Sequence, residues 1–118
     1  MKTIIAGSRE IKDYPLICRL LNTELDWIVT EVVSGTAQGV DRAGESWARS
    51  KRIPVKCFPA DWKKFGTSAG NIRNEEMANY ADAAFIIWDG KSSGTKDMIN
   101  QCKVYGLKYR VIDIRLEA

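Results

Sequence analysis

Apolar residues alternate along the chain between short runs and helically spaced stripes. Thr3 to Ala6 is a short run closed by Gly7 and predicts a strand. Asp13 and Pro15 then open a helix in which Tyr14, Ile17, Leu20, Leu21 and Leu25 keep helical spacing. A β-branched run from Val29 to Val33 predicts the second strand, and Val40, Ala43, Gly44, Trp47 and Ala48 follow as the apolar face of a second helix. Gly44 on that face allows close approach to a sheet. Pro54 to Phe58, Ala83 to Trp88 and Tyr109 to Ile114 predict three more strands. Thr95, Met98, Ile99, Cys102 and Gly106 mark a helix between the last two, ending at a glycine.

Five short strands separated by helices predict a parallel sheet covered on both faces, because parallel neighbours need crossovers and crossovers are right-handed. The expected fold is a small Rossmann-like α/β three-layer sandwich. Strand order 3-2-1-4-5 is expected, and order 2-1-3-4-5 is the alternative the pattern leaves open. Pro59 to Ser68 is longer than a median connection and predicts either a functional flap or a surface loop whose Trp62 and Phe65 cap the core.

Open α/β sheets take ligands at the carboxyl ends of their strands. Gly7, Ser8 and Arg9 follow the first strand, Ser34, Gly35, Thr36, Gln38 and Gly39 the second, and Asp89, Gly90, Ser93, Gly94 and Thr95 the fourth. Each group combines glycine, hydroxyls and backbone amides near a helix start, where unpaired N–H groups and the helix dipole attract an anion. Neither GxGxxG nor GxxxxGK[ST] occurs, which disfavours a standard dinucleotide fingerprint and a Walker A ATPase. In AGNIRNEEMANYA, residues 69–81, the face that carries Ala81, Ala78 and Met77 runs back into Asn74, Arg73 and Gly70. Polar residues occupying an apolar seam point Arg73 at a phosphate and Asn74 at a sugar or base edge, the alternative being that both satisfy the protein itself. On the ligand reading, Arg73→Ala costs affinity and little stability.

Composition narrows the classes. The 118 residues fit one domain, residues 1–118, and the excess of 18 Lys+Arg over 15 Asp+Glu lacks the basic runs of a dedicated duplex-DNA binder. The chain has no histidine, which removes Ser-His-Asp and Cys-His catalysis and histidine metal sites. Cys18, Cys57 and Cys102 are odd in number and scattered, pointing to the reducing cytoplasm and to neither a disulfide framework nor a zinc site. MKTIIA is too short for a signal peptide, and no apolar run approaches a membrane span. No cofactor, metal or membrane partner is expected.

Five blocks, GSR (7–9), SGTAQGVDR (34–42), FPADW (58–62), AGNIRNEEMA (69–78) and WDGKSSGT (88–95), together resemble the SLOG superfamily that includes the Smf/DprA and LOG proteins, in particular its small YspA/YpsA-like branch. The resemblance implies a Rossmann-like fold and a pocket for a nucleotide or nucleotide-derived ligand. It implies, from its relatives, a sensor or sequestering module, a nucleotide N-glycosidic hydrolase or transferase, or a single-stranded DNA binder, and commonly a homo-oligomer, for which an exposed helix face bearing Tyr80 or Tyr105 would serve, the alternative being that these aromatics cover the sheet. Phosphoribohydrolase relatives carry PGGxGTxxE, whereas residues 90–98 here read GKSSGTKDM, with Met98 in place of the acid and Asp97 one residue off, about 100° around the helix.

Asp41 and Asp61 remain candidate catalytic carboxylates, with helix capping as their alternative role. Trp62, Lys63, Lys64 and Phe65 are the nearest thing to a stacking, basic DNA track. The expected function is binding of a nucleotide-derived small molecule such as ADP-ribose, an NAD-like compound or a signalling nucleotide, without fast turnover. DNA is the less favoured partner.

Overall fold

The computed structural model describes residues 1–116. The elements in chain order are β1 (Lys2–Gly7), α1 (Tyr14–Glu24), β2 (Glu31–Ser34), α2 (Val40–Ser50), β3 (Val55–Cys57) and α3 (Trp62–Phe65). A 3-10 turn (Gly66–Ser68) leads into α4 (Ala69–Tyr80), β4 (Ala83–Trp88), α5 (Ser93–Val104), β5 (Lys108–Asp113) and a last 3-10 turn, Ile114–Leu116. All strand pairs are parallel, and the order is β3-β2-β1-β4-β5. The fold is therefore the Rossmann-like sandwich with the first of the two expected orders.

Period-two alternation sorts the strand residues between two cores. Ile5, Val32, Phe85, Ile87 and Ile112 pack with Ile17, Leu20 and Leu21 of α1 and Val40, Ala43 and Trp47 of α2. Ile4, Ala6, Val33, Ala84 and Ile86 pack on the opposite face with Met77 and Ala78 of α4 and Met98, Ile99 and Cys102 of α5. Tyr80 belongs to this second layer: its ring meets Phe58 at 5.4 Å and its hydroxyl donates to Glu31. Helix starts follow local chemistry. Asp13 caps α1 by accepting from the Leu16 amide at 3.1 Å, and Pro15 occupies the first turn, where its missing N–H costs nothing.

The strands β1, β3 and β5 each shift by one residue at both ends, and two larger differences have local causes. The second strand begins at Glu31, not Val29, because Lys2 is the first β1 residue with a β2 partner and that partner is Glu31. Part of Pro59 to Ser68 is helical: Asp61 Oδ1 accepts the Lys64 amide at 3.1 Å and Asp61 O the Phe65 amide at 3.0 Å, which nucleates α3. Trp62 and Phe65 are 57% and 38% exposed, so neither closes the core.

Gly44 explains how closely α2 approaches the sheet. A Cβ there would stand 2.6 Å from Ile5 Cγ2 on the central strand, nearer than real contacts allow. Alanine would gain about 1 kcal/mol of helix propensity but must force α2 off β1, at about 1–3 kcal/mol. Gly44→Ala is expected to lower the midpoint of urea unfolding with no change in its slope.

Candidate functional site

A cleft of about 690 Å³ opens above the carboxyl ends of the strands. Its walls are Ala6 and Gly7 at the end of β1 with Arg9 beyond it, Gly35 to Gln38 with Asp41 and Arg42 at the start of α2, and Pro59, Ala60, Trp62 and Thr67 from the connection. Gly70, Asn71, Arg73, Asn74 and Met77 of α4 and Ser92 to Thr95 with Met98 of α5 complete it. This is the crevice where strand order reverses, between β1 and β4.

The glycines of the cleft divide into two kinds. Gly7, and Gly39 just off the wall, are demanded by packing, since a Cβ on Gly7 would strike Ile87 O and Val40 and one on Gly39 would meet three carbonyls; one on Gly35 would crowd the side-chain ends of Arg73, 2.8 Å from Nη1, and Asp41, 2.9 Å from Oδ2. Gly39 also has φ +78°, a left-handed value that favours glycine. Gly94 and Gly70 have no such reason. A Cβ on Gly94 would meet nothing within 4 Å, and one on Gly70 would make only ordinary contacts. Both sit in helices, where glycine costs about 1 kcal/mol against alanine.

A polar chain ties the walls together. Arg73 Nη1 donates to Gly35 O at 2.6 Å and its Nε to Asn74 Oδ1 at 2.9 Å. Asn74 Nδ2 donates to Gly94 O at 3.2 Å and to Asp97 Oδ2 at 2.9 Å. The β2 loop, α4 and α5 are thereby linked through two adjacent side chains. Both roles weighed for the seam now have a location: Arg73 and Asn74 line the cleft while satisfying protein groups, and Asn74 is only 4% exposed with its amide hydrogens directed at protein acceptors. Arg73 therefore carries stability as well as facing the cleft.

Asp41 is the buried charge of the cleft wall. Burial pushes its carboxyl up to about 6, against the pull of the Ala37 amide at 3.2 Å, the Arg73 guanidinium and the Gly7 amide, while Glu45 reinforces the rise. Burial likewise holds Arg73 below its usual value; Asp41 opposes this, and the nearby charge of Arg9 adds to it. Arg9 itself is exposed, and no ion pair engages it among the described residues. Arg42 is held by Glu45 at 3.2 Å.

At the start of α5, Ser92 Oγ accepts the Thr95 amide at 3.3 Å and the Thr95 hydroxyl at 3.0 Å, and Ser92 O accepts the Lys96 amide. Asp89 Oδ1 takes the Lys91 and Ser92 amides, which lowers its pKa below the usual carboxylate range. The Ser93 and Gly94 amides are left without a protein acceptor among the described residues, at the positive end of the helix dipole.

Of the residues singled out in sequence, the cleft gathers Gly7, Arg9, Gly35, Thr36, Gln38, Asp41, Trp62, Gly70, Arg73, Asn74, Ser93, Gly94 and Thr95. Six lie off its wall. Ser8 is fully buried and accepts the Asp89 amide, joining the ends of β1 and β4. Ser34 is buried too, donating to Glu45 Oε2 at 2.6 Å and accepting from the Thr36 amide at 3.1 Å. Gly39 and Gly90 make turns, Asp89 fastens the β4 loop, and Asp61 caps α3 and borders a separate hollow of about 310 Å³.

Sequence reading missed Arg42, Thr67, Asn71, Met77, Ser92 and Met98 in the wall and the buried Glu45 beneath it. Ser92 was findable, since a hydroxyl three residues before Thr95 is a cap signal. The others depend on how helices are rotated. Among the described residues no cluster of three or more His, Cys, Asp or Glu could hold a metal ion, and no helix is long and apolar enough to cross a membrane.

Comparison with known proteins gives two matches. The model of the YspA, cpYpsA-related SLOG family matches residues 1–65. The Gene 61 protein of Mycobacterium phage D29 is 31% identical over 114 residues, covering 90% of this chain and 91% of the relative. No solved structure matches. The family match thus takes in the β1 and β2 loops and Trp62, and the likeness to the phage protein extends over most of the chain.

The burial of Asp41 has a signed consequence. Its folded pKa lies above the ordinary 3.8, so the native state binds the proton more tightly than the unfolded chain, and stability falls as pH rises between about 4 and about 6. The loss is on the order of 3 kcal/mol. Denaturant titrations across that range are expected to show the decline in the wild type and not in Asp41→Asn, which becomes the more stable protein at pH 7. Arg73→Ala should shift the decline to higher pH and lower stability throughout, by removing both the attraction and the tie to Gly35.

Proposed function

The chain belongs to the YspA, cpYpsA-related SLOG family, and from that membership and the chemistry of the cleft we propose that it binds a nucleotide-derived small molecule at the carboxyl edge of the sheet. Membership in the family fits a role in binding or modifying nucleotide-related ligands. ADP-ribose, NAD-like compounds and signalling nucleotides are the ligand classes proposed, and sensing or sequestration the role.

The carrying observation is Gly94. A glycine at the second position of a helix, outside the left-handed region and with empty space where its side chain would be, is required by neither packing nor backbone conformation. Its value is access. A ligand anion can approach the free Ser93 and Gly94 amides with no Cβ in the way, and Arg9 offers an uncommitted guanidinium across the same cleft.

Hydrolysis of an N-glycosidic bond is the second reading, and Asp41 favours it, because a carboxyl near pH 6 in a cleft suits proton transfer. Against it stands the poverty of partners. Met98 lines the cleft where phosphoribohydrolase relatives carry an acid, and Asp97 is bound to Asn74 instead of facing the cleft. Binding with slow or no turnover is the conclusion.

A nucleotide at a hundred times its dissociation constant should stabilise the protein by about 2.7 kcal/mol, read as a thermal shift across mono- and dinucleotides and ADP-ribose. Gly94→Ala is expected to raise the unliganded melting temperature while weakening ligand binding, and Arg9→Ala to weaken binding alone. A Gly94→Ala protein that keeps full affinity would defeat the proposal. Chromatography of the same mixtures should detect no rapid release of free base; rapid release abolished by Asp41→Asn, with affinity retained, would replace binding by hydrolysis.

A further inference from the structure

Trp62 differs from the other three tryptophans of the chain. Trp27, Trp47 and Trp88 are partly or fully buried, and each donates its indole N–H: to Thr3 Oγ1 at 3.0 Å, Asn22 Oδ1 at 2.9 Å and Ser92 O at 3.1 Å. Trp62 is 57% exposed and lines the cleft. Among the described residues its N–H has no protein acceptor, no aromatic ring packs on it and no lysine ammonium lies over it.

The backbone that presents this ring is fixed. Asp61 binds the amides of Lys64 and Phe65, so α3 begins at Trp62 with its first turn capped. Gly70 flanks the ring: a Cβ there would stand 3.5 Å from Cη2, an ordinary contact, so alanine would cover the ring edge without strain. Glycine leaves it bare. A large, uncovered aromatic on a capped backbone, in the wall of a cleft that also offers free amides and Arg9, fits a ligand with two unlike parts, one planar and one anionic.

We propose that Trp62 is the stacking platform for the heterocyclic base of the ligand, which makes a base-bearing nucleotide, and not a bare sugar phosphate, the class this cleft selects. The inference rests on the proposed nucleotide site and narrows it. Stacking on an indole face is tolerant of base identity, so the platform supplies affinity for a base, while discrimination among bases falls to other groups of the wall.

The test is calorimetric titration of the full chain with AMP, GMP, CMP, UMP and ribose 5-phosphate. In Trp62→Ala, nucleotides that bind the wild type should bind about ten- to a hundredfold more weakly, while ribose 5-phosphate binding is unchanged. Trp62→Phe should recover most of the loss, and Arg9→Ala should weaken nucleotides and ribose 5-phosphate alike. Nucleotide binding that needs Arg9 but ignores Trp62→Ala overturns the platform and leaves the site standing. Equal weakening of ribose 5-phosphate by Trp62→Ala also overturns it, because the residue then only shapes the cleft. Failure of every probe to bind the wild type overturns site and platform together. Preference for a single-stranded oligonucleotide, falling steeply with salt, overturns the small-molecule class in favour of strand binding.

Discussion

Right-handed crossovers leaving β1 in opposite directions are the constraint on which the rest of this molecule depends. The chain winds one way from β1 to β2 and β3, placing α1 and α2 on one face, then crosses to β4 and β5 on the other side of β1, placing α4 and α5 on the opposite face. Above the carboxyl ends of β1 and β4 neither helix pair can cover the gap. The cleft is therefore a product of topology before it is a product of any side chain. The loops after β1, β2 and β4 reach it because a parallel sheet turns all of its strand ends the same way.

What the side chains add is a polar lining in a place that folding alone would leave apolar. Asp41 is buried at the head of α2 and carries a raised pKa, and Thr36 adopts φ +65°, a left-handed value that a β-branched residue rarely holds. Both are local costs. They are sustained from beneath, where Ser34 bridges Glu45 and the Thr36 amide, with Arg42 and Arg49 holding the far oxygen of Glu45. They are sustained from across the cleft by Arg73 on Gly35 O. A loop held in an unfavourable conformation at the mouth of a cleft persists because a buried network over-determines it.

The same network extends into the polar seam of α4. Arg73 and Asn74 stand at core-facing positions of the helix, which the sequence could reveal, and they face a cleft, which it could also anticipate. Their acceptors could not be read. Gly35, Gly94 and Asp97 lie 38, 20 and 23 residues away from the side chains that bind them, and only the rotation of α4 against α5 decides the pairing. Asp61 shows the reverse: a carboxylate noted for chemistry sits one loop position from the cleft wall, where its Oδ1 caps α3.

By itself the sequence determined the five strands, four of the five helices, the parallel class and three glycine-rich loops at one sheet edge, because apolar period and turn chemistry are local properties that survive without knowledge of neighbours. Family likeness was equally legible, being carried by short blocks such as SGTAQGVDR and FPADW. Only the tertiary structure decided which of two strand orders forms, and which glycines are packed shut, such as Gly7 and Gly39, and which stand open, such as Gly94. It alone separated Ser8 and Ser34, spent inside the protein, from Ser93 and Arg9, free at the cleft. The reason is physical: a residue's type sets which bonds it can make, but distances between elements far apart in the chain set which of those bonds are already made.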